Sequence, residues 1–438
     1  MERFSTASHA ARVNGLLDPA TFTQLARGGA RTSLIAGGGR LEGEAVWIAA
    51  TDPSRARGAL GVAEAAALCA LFQVARDEPR PLLLLLDSAG AKVDEGLAAL
   101  GAFRRLFREA LLTRLAHVPM IGLLGKSCFG GASMLACVCS LRVYSSETLF
   151  ATSGPGVIEA LGGKRELDAA DPDRVRALMG GDARSRLSPS ELLTTDSIDA
   201  FRDCAVRLLQ SETLRDGAFD LAADHAELHK RLARNEGHTR TTITELDVSI
   251  RRLERLLPTG YAPEARSHVC LGLPSPGSEK PAFVGFLSGG AVGADACWHL
   301  AAALMDLHGS NPRSPVLLLL DAVGHAATRH DEAAMLSAYL THLSFVGAWL
   351  AQCGHKVSLW IPGAAAGAVY VAFAAPARHV SALRSARIRI LPASAIRQIL
   401  GASADHSADS DVLVHTGVID AFLDRRLEGY AEVANDHD

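Results

Sequence analysis

The 438-residue sequence predicts an α/β fold in which one unit is built twice. Three observations predict it. Five leucines, residues 82–86, run into Asp87-Ser88-Ala89-Gly90, and the apolar run at 316–320 ends in the similar Asp321-Ala322-Val323-Gly324. A short all-apolar run bounded by Pro and Gly has the pattern of a strand covered on both faces of a parallel sheet. Each run is followed by a helix-spaced stretch, a second apolar run and a small-residue turn: Gly125 to Gly131 in the first half, Pro362 to Ala368 in the second.

In chain order, residues 11–25 read as two short helices parted by Asp18-Pro19, and 41–51 as strands ending at Asp52-Pro53. Residues 60–75 and 97–116 carry apolar side chains at helical spacing around the strand at 82–86. A strand at 118–124 enters the glycine turn and a helix at 132–139; short strands follow at 141–144 and 148–151, then a turn from Ser153 into a helix. The charged stretch 164–191 reads as surface, and 197–201 as a closing strand or strand-to-helix junction. Residues 205–258 read as helices, and the Gly/Pro/Ser-rich 259–280 as a loop. The second half then repeats the order: helix 294–307, strand 316–320, helix 332–353, strand 357–361, the turn at 362–368, a strand and helix from 390, and 418–422 echoing 197–201. Five elements recurring in one order point to internal duplication.

Composition narrows the class. Hydrophobic residues are 48% of the chain and charge is balanced at 44 basic against 48 acidic. No basic block stands out, so nucleic acid is not an expected partner. The eight cysteines sit mostly in apolar runs with no C-x-x-C, which reads as reduced core thiols in a cytoplasmic protein. No charged start leads into an apolar secretory segment, and the apolar runs are far short of a membrane span.

Gly130-Gly131 stands at a strand-to-helix turn. Glycines there let backbone N–H groups approach a ligand oxygen at the positive end of a helix dipole. The same pair equally suits a tight turn with close helix packing. The other candidates lie at the matching strand ends: Ser88, Ala89 and Gly90, then Lys126 and Ser127, and in the second half Gly324, His325, Arg329, Gly367 and Ala368. His325, His330 and Glu332 match no standard metal spacing, so no metal is expected. No methionine precedes a lysine, as a biotin attachment sequence requires, and no GxxxxGK[ST] is present.

At LLLLLDSAGAKVDEG and VPMIGLLGKSCFGGASMLACVCS, together with LEGEAVWIAA and SGPGVIEA, the chain resembles the carboxyltransferase branch of the crotonase superfamily. Within it the chain is similar to the β and γ subunits of biotin-independent malonate decarboxylase joined in one polypeptide. LLLLDAVGHAATRHDE and IPGAAAGAVYVAFA carry the γ-like resemblance. Ala89 and Ala91-Lys92 depart from the usual DSGGAR. The resemblance implies two tandem ClpP/crotonase domains, each a spiral of ββα units: residues 1–205, a helical linker at 206–258, and 259–438. It implies a malonyl group on an acyl carrier protein or CoA, reached through a phosphopantetheine-type thioester arm, with no covalently bound cofactor. It implies a carboxy-lyase that releases CO₂ and stabilises the enolate with the amides of Gly130, Gly131, Ala89, Gly90, Gly367 and Ala368. Ser88, Lys126, Ser127, Gly324, His325 and Arg329 are the expected substrate contacts. Either a homodimer or an intrachain pseudo-dimer fits. Two rivals remain: the carboxyltransferase component of a biotin-dependent acyl-CoA carboxylase, and a silent scaffold that docks a carrier protein.

Overall fold

The leucine run becomes strand β4 (Leu82–Ser88), in which every residue is buried. The strand is covered on both faces, which is why its sequence does not alternate. The computed structural model describes residues 2–25, 32–211, 214, 219–235, 243–258, 260–266, 268–278, 280–391 and 410–423, with backbone only at 243–248. The chain is a mixed α/β fold that groups into two units. The first holds Met1–Asp220 and Ala327–Thr341; the second holds Leu221–Ala326 and His342–Asp438. Within 206–258, helices Leu221–Arg234 and Ile243–Glu254 group with the second unit.

In the first unit the strands are β1 (Thr23–Gln24), β2 (Leu34–Leu41), β3 (Glu44–Thr51), β4, β5 (Met120–Phe129), β6 (Leu141–Tyr144), β7 (Leu149–Ala151) and β8 (Glu191–Leu193). Their order is β1-β2-β3-β4-β5-β6-β8, with β7 paired to the end of β5. The pairs β1/β2 and β2/β3 are antiparallel, and every later pair is parallel. Helix Val62–Asp77 turns Ala65, Leu68, Leu71, Phe72 and Ala75 inward. That is the i, i+3, i+4, i+7 stripe its sequence carries.

In the second unit the strands are β9 (Ala262–Arg266), β10 (Val269–Leu273), β11 (Ala282–Phe286), β12 (Ala291–Val292), β13 (Val316–Leu320), β14 (Gly324–His325), β15 (Val357–Ile361), β16 (Ala364–Ala366), β17 (His379–Ala382), β18 (Arg387–Arg389) and β19 (Ala421–Phe422). The order β9-β10-β11-β13-β15-β17-β19 shows the same succession of directions, two antiparallel pairs followed by parallel ones. The small parallel pairing of β7 with β5 has its like in β16 with β18, and the Leu60↔Ala91 bridge has its like in β12 with β14.

Several expectations need correction. After helix His9–Leu16 the chain forms β1, not a second helix. Gly37 on β2 lacks the β-carbon that would strike the Thr23 carbonyl, so the strands close together. β2 and β3 form a hairpin whose turn residues Glu42 and Gly43 both have positive φ (50° and 77°), the twist that suits a two-residue hairpin. Residues 259–280 are not simply a loop, since β9 and β10 pair there. The single helix read over 332–353 is two, Arg329–Ala333 and Leu336–Gln352, parted at Met335 with φ 65°. Residues 197–201 and 418–422 are not alike. Ser197 caps helix Ile198–Gln210, accepting the Ala200 N–H, whereas Ala421–Phe422 is strand β19. The strand in the place of β19 is β8. The charged stretch 164–191 is not all surface, because Leu167, Arg184 and Glu191 are buried. The helix expected after residue 392 lies outside the described residues.

Candidate functional site

In the first unit the carboxyl ends of β4 and β5 meet at two glycines. Gly90 has φ 106° and Gly130 φ 58°. A β-carbon on Gly130 would stand 3.4 Å from the Gly90 Cα, and one on Gly90 would stand 3.2 Å from the Phe129 carbonyl oxygen. Close approach and left-handed backbone both select glycine here. Helix Gly131–Val138 starts directly afterwards. Its first residues have no carbonyl one turn back to bond, so their N–H groups need another partner.

Of the four amides expected as donors in this unit, three are engaged. The Gly130 N–H donates to the Thr152 carbonyl at 3.0 Å and the Ala89 N–H to the Arg57 carbonyl at 2.9 Å. The Gly90 N–H donates to Ser88 Oγ at 3.1 Å. Only Gly131, half-buried, keeps an N–H with no partner among the described residues. A β-carbon on Gly131 would also stand 2.5 Å from Phe103 Cζ, so the glycine is needed for packing as well. The four-donor expectation thus reduces to Gly131.

The expected substrate contacts change too. Ser88 is fully buried and its hydroxyl serves Gly90. Ser127 gives both its N–H and its hydroxyl to Asp87 Oδ1, at 3.1 and 3.2 Å. Lys126 puts its N–H on Asp87 Oδ2 at 3.1 Å while its side chain is exposed. Asp87 is itself 2% exposed and takes Arg12 Nη2 at 2.8 Å. It is a structural tie that fixes the turn after β4 to the end of β5. Arg329 is exposed, and its backbone N–H donates to Glu166 Oε1 at 2.6 Å.

Sequence reading missed the buried polar groups behind the turn. Glu332 is fully buried and accepts the N–H groups of Thr152 and Ser153, at 3.1 and 2.5 Å. Arg184, also buried, donates to the Glu332 carbonyl at 2.6 Å and to the Phe150 carbonyl at 2.7 Å. Burial pushes the Glu332 carboxyl up to about 7, against the pull of Arg184 and the two amides. Ser337 Oγ lies 2.8 Å from both Ser133 Oγ and Thr152 Oγ1. A lone Glu before an apolar helix and a lone Arg in a charged stretch give no signal in one sequence.

In the second unit Asp321 repeats the tie. It accepts the Ala364 N–H and Arg252 Nη1, each at 2.7 Å. Gly324 (φ 146°) and Gly367 (φ 53°) stand where Gly90 and Gly130 stand in the first. Gly367 and Ala368 open helix Gly367–Ala374, and both are buried. A β-carbon on Gly367 would lie 3.9 Å from His325 Nδ1. Burial pulls His325 down to about 4, so a charged imidazole is disfavoured there at pH 7. None of the eight cysteines forms a disulfide. Among the described residues no helix is long and apolar enough to cross a membrane.

Residues 15–186 match the family described as the carboxyl transferase domain, and 288–411 the malonate decarboxylase gamma subunit. The resemblance read from the sequence is borne out in both halves. The malonyl-S-ACP:biotin-protein carboxyltransferase of Malonomonas rubra is 27% identical over 220 residues, which is 45% of this chain and 69% of that protein. A putative propionyl-CoA carboxylase beta chain of Bacillus subtilis is 31% identical over 30% of this chain, and the match spans only 26% of its own length. A Pseudomonas malonate decarboxylase hetero-tetramer solved with malonate has a chain 22% identical, covering 55% of this chain and 94% of its own, with a TM-score of 0.47.

Proposed function

From a chain whose halves match the carboxyl transferase domain and the malonate decarboxylase gamma subunit, we propose a carboxy-lyase acting on a malonyl thioester. The bond between the carboxylate and the methylene carbon breaks, and CO₂ leaves. The electron pair moves to the thioester oxygen as an enolate, and protonation at carbon gives the acetyl thioester. The observation that carries this reading is the Gly131 N–H, without a partner among the described residues at the start of a helix. One fixed donor aimed at developing charge is typically worth about 3 kcal/mol. Gly367 and Ala368 hold the corresponding place in the second unit.

The reading extends to a tandem pair of crotonase-like spirals, supported by the matching order and direction of strands in the two sheets. The malonyl group rides on a phosphopantetheine-type arm of a carrier protein or CoA in the cytoplasm, and no covalently bound cofactor takes part. The relative's action on malonyl-S-ACP supports the carrier. Its naming as a biotin-protein carboxyltransferase favours one second reading, in which the carboxyl group passes to a biotin carrier.

The test is purified chain with malonyl-carrier protein or malonyl-CoA, without biotin or ATP, following CO₂ and the acetyl thioester by mass spectrometry. Release of both supports the lyase. Turnover only when a biotin carrier is added supports the second reading. No turnover in either arm removes both.

A further inference from the structure

Residues 327–341 follow β14 in sequence, yet they group with the first unit. Their apolar side chains Ala327 and Ala333 pack on the cluster of Ala151, Ile158, Leu167, Val175, Leu178 and Met179. From this segment Glu332 reaches two consecutive amides with two different oxygens, Oε2 to Thr152 and Oε1 to Ser153. The carbonyl of that same Thr152 holds the Gly130 N–H. Ser337 joins the hydroxyls of Thr152 and Ser133, and the Ser133 hydroxyl donates to the Gly130 carbonyl at 2.7 Å.

The Gly130 carbonyl and the Gly131 N–H belong to one peptide group. That group is planar and trans, so fixing the carbonyl on one side fixes the N–H pointing the other way. Both ends of Gly130 are therefore held by a network that ends in Glu332 and Ser337. We propose that Glu332 is the positioning residue for the Gly131 donor, acting through Thr152 with Ser337 as the second brace. The turn of the first half is thus completed by residues from the second half of the sequence. This rests on the reading of Gly131 as the enolate donor.

An ionised carboxylate accepts from both amides, whereas a protonated one gives up acceptor strength on one oxygen. With burial placing the Glu332 transition at about 7, the brace tightens as pH rises through neutrality. The charged groups around it are few. Arg184 lies behind the carboxylate, its Nη2 3.8 Å from Oε2. Asp331 is its chain neighbour and opposes ionisation. Glu166 sits on the Arg329 amide, and half-buried His330 is on the same helix. The packed helix Pro172–Met179 carries Asp173, Arg174 and Arg176, all exposed.

The test compares the full-length chain with Glu332→Gln and Ser337→Ala, measuring kcat and KM for a malonyl thioester from pH 5.5 to 9. The wild type is expected to gain kcat through about pH 7. Glu332→Gln is expected to lose about 10²-fold in kcat, the cost of a donor misplaced by about an ångström, with KM little changed and the rise at neutral pH gone. Ser337→Ala is expected to lose less and to keep the rise. Wild-type kcat and an unchanged pH profile in Glu332→Gln overturn the proposal. If the wild type turns over no malonyl thioester, the functional reading fails, and the brace is decided by hydrogen exchange at Gly130 instead. There the protection factor, which corrects for the slower intrinsic exchange in acid, should fall about tenfold in Ser337→Ala, and below pH 6 in the wild type, as expected for a loosened local opening. Unchanged protection in both removes the brace, and the same readout decides the matter if Glu332→Gln does not fold.

Discussion

Asp87 lies against Gly125 so closely that a β-carbon on the glycine would stand 2.7 Å from the Asp87 Cβ and 2.7 Å from Arg12 Nη1. Asp321 stands to Gly363 in the same relation, with a β-carbon there 2.6 Å from its Oδ2. Each aspartate stands at the end of a buried strand and meets an arginine; Asp87 accepts amides from the end of β5, and Asp321 accepts the first amide of β16. The environments differ. The Arg12 side chain is 1% exposed and the Arg252 side chain 45%.

That difference predicts unequal costs. Asp87→Ala strands Arg12 as an uncompensated buried charge, at about 3–5 kcal/mol. Asp321→Ala leaves Arg252 in water, where the ion pair is worth about 1 kcal/mol or less and the lost amide bond about 1 more. Urea unfolding of the two variants should show the first well below the second. Equal losses would contradict the account of the buried tie.

Glu64 predicts an acid-sensitive hold on the strand-end loop. Its carboxylate is fully buried and accepts Ser33 N–H, Gly61 N–H and Lys92 Nζ, at 2.9, 3.0 and 2.9 Å. Burial works against its ionisation, but the Lys92 ammonium and the amides outweigh burial and hold the carboxyl down at about 2, against an ordinary 4.5. A depressed carboxyl stabilises the fold above its unfolded value and loses that contribution as pH falls through the folded one. Glu64→Gln should therefore cost about 3 kcal/mol at pH 7. The gap should narrow as the pH drops from 4.5 towards 2, followed by urea unfolding across that range. A gap that does not change with pH would reject the mechanism.

His342 predicts the opposite kind of group in the second unit. It is 4% exposed, with Nε2 3.0 Å from His225 Nδ1. Burial, and then the neighbouring His225, pulls it down to about 3. A base depressed on folding contributes stability that is present above its unfolded value of 6.5 and lost as pH falls towards the folded one. Trp298 stacks on His225 and His229 at 4.6 and 4.4 Å, so its fluorescence reports this cluster. Urea unfolding followed by that fluorescence should show the wild type losing stability as pH falls from 6.5 towards 3, and His342→Gln losing less. An identical acid response in both would reject the assignment.

The strands at 82–86 and 316–320 were legible because burial on both faces leaves an unbroken apolar run. The turn at Gly130 was legible because only glycine takes its φ at no cost. Who uses its amide was not legible, since Thr152 enters through a pairing of β7 that no local pattern marks. Arg12, Arg184 and Glu332 were illegible for a related reason: a buried charge looks like a surface charge until its partners, distant in sequence, are in place. At Ser197 the strand-to-helix alternative holds, since its hydroxyl caps the helix that follows β8.

Gly131 separates packing from chemistry. Its missing β-carbon leaves room for Phe103, while its N–H belongs to the peptide that the Gly130 carbonyl orients. Gly131→Ala should lower stability by about 1–3 kcal/mol through overpacking against the ring, and Phe103→Leu in the same chain should restore part of it. The added methyl points at residue 103 and leaves the N–H uncovered, so the double variant should keep malonyl-thioester turnover within about tenfold of wild type, a barrier change of about 1.4 kcal/mol. With glycine-selective ¹⁵N labelling, a thioester mimic bearing a sulfonate in place of the carboxylate should shift the Gly131 amide downfield. The Gly130 amide, already on Thr152, should stay where it is. A shift at Gly130 with none at Gly131 would move the donor to the wrong side of the peptide and end the assignment.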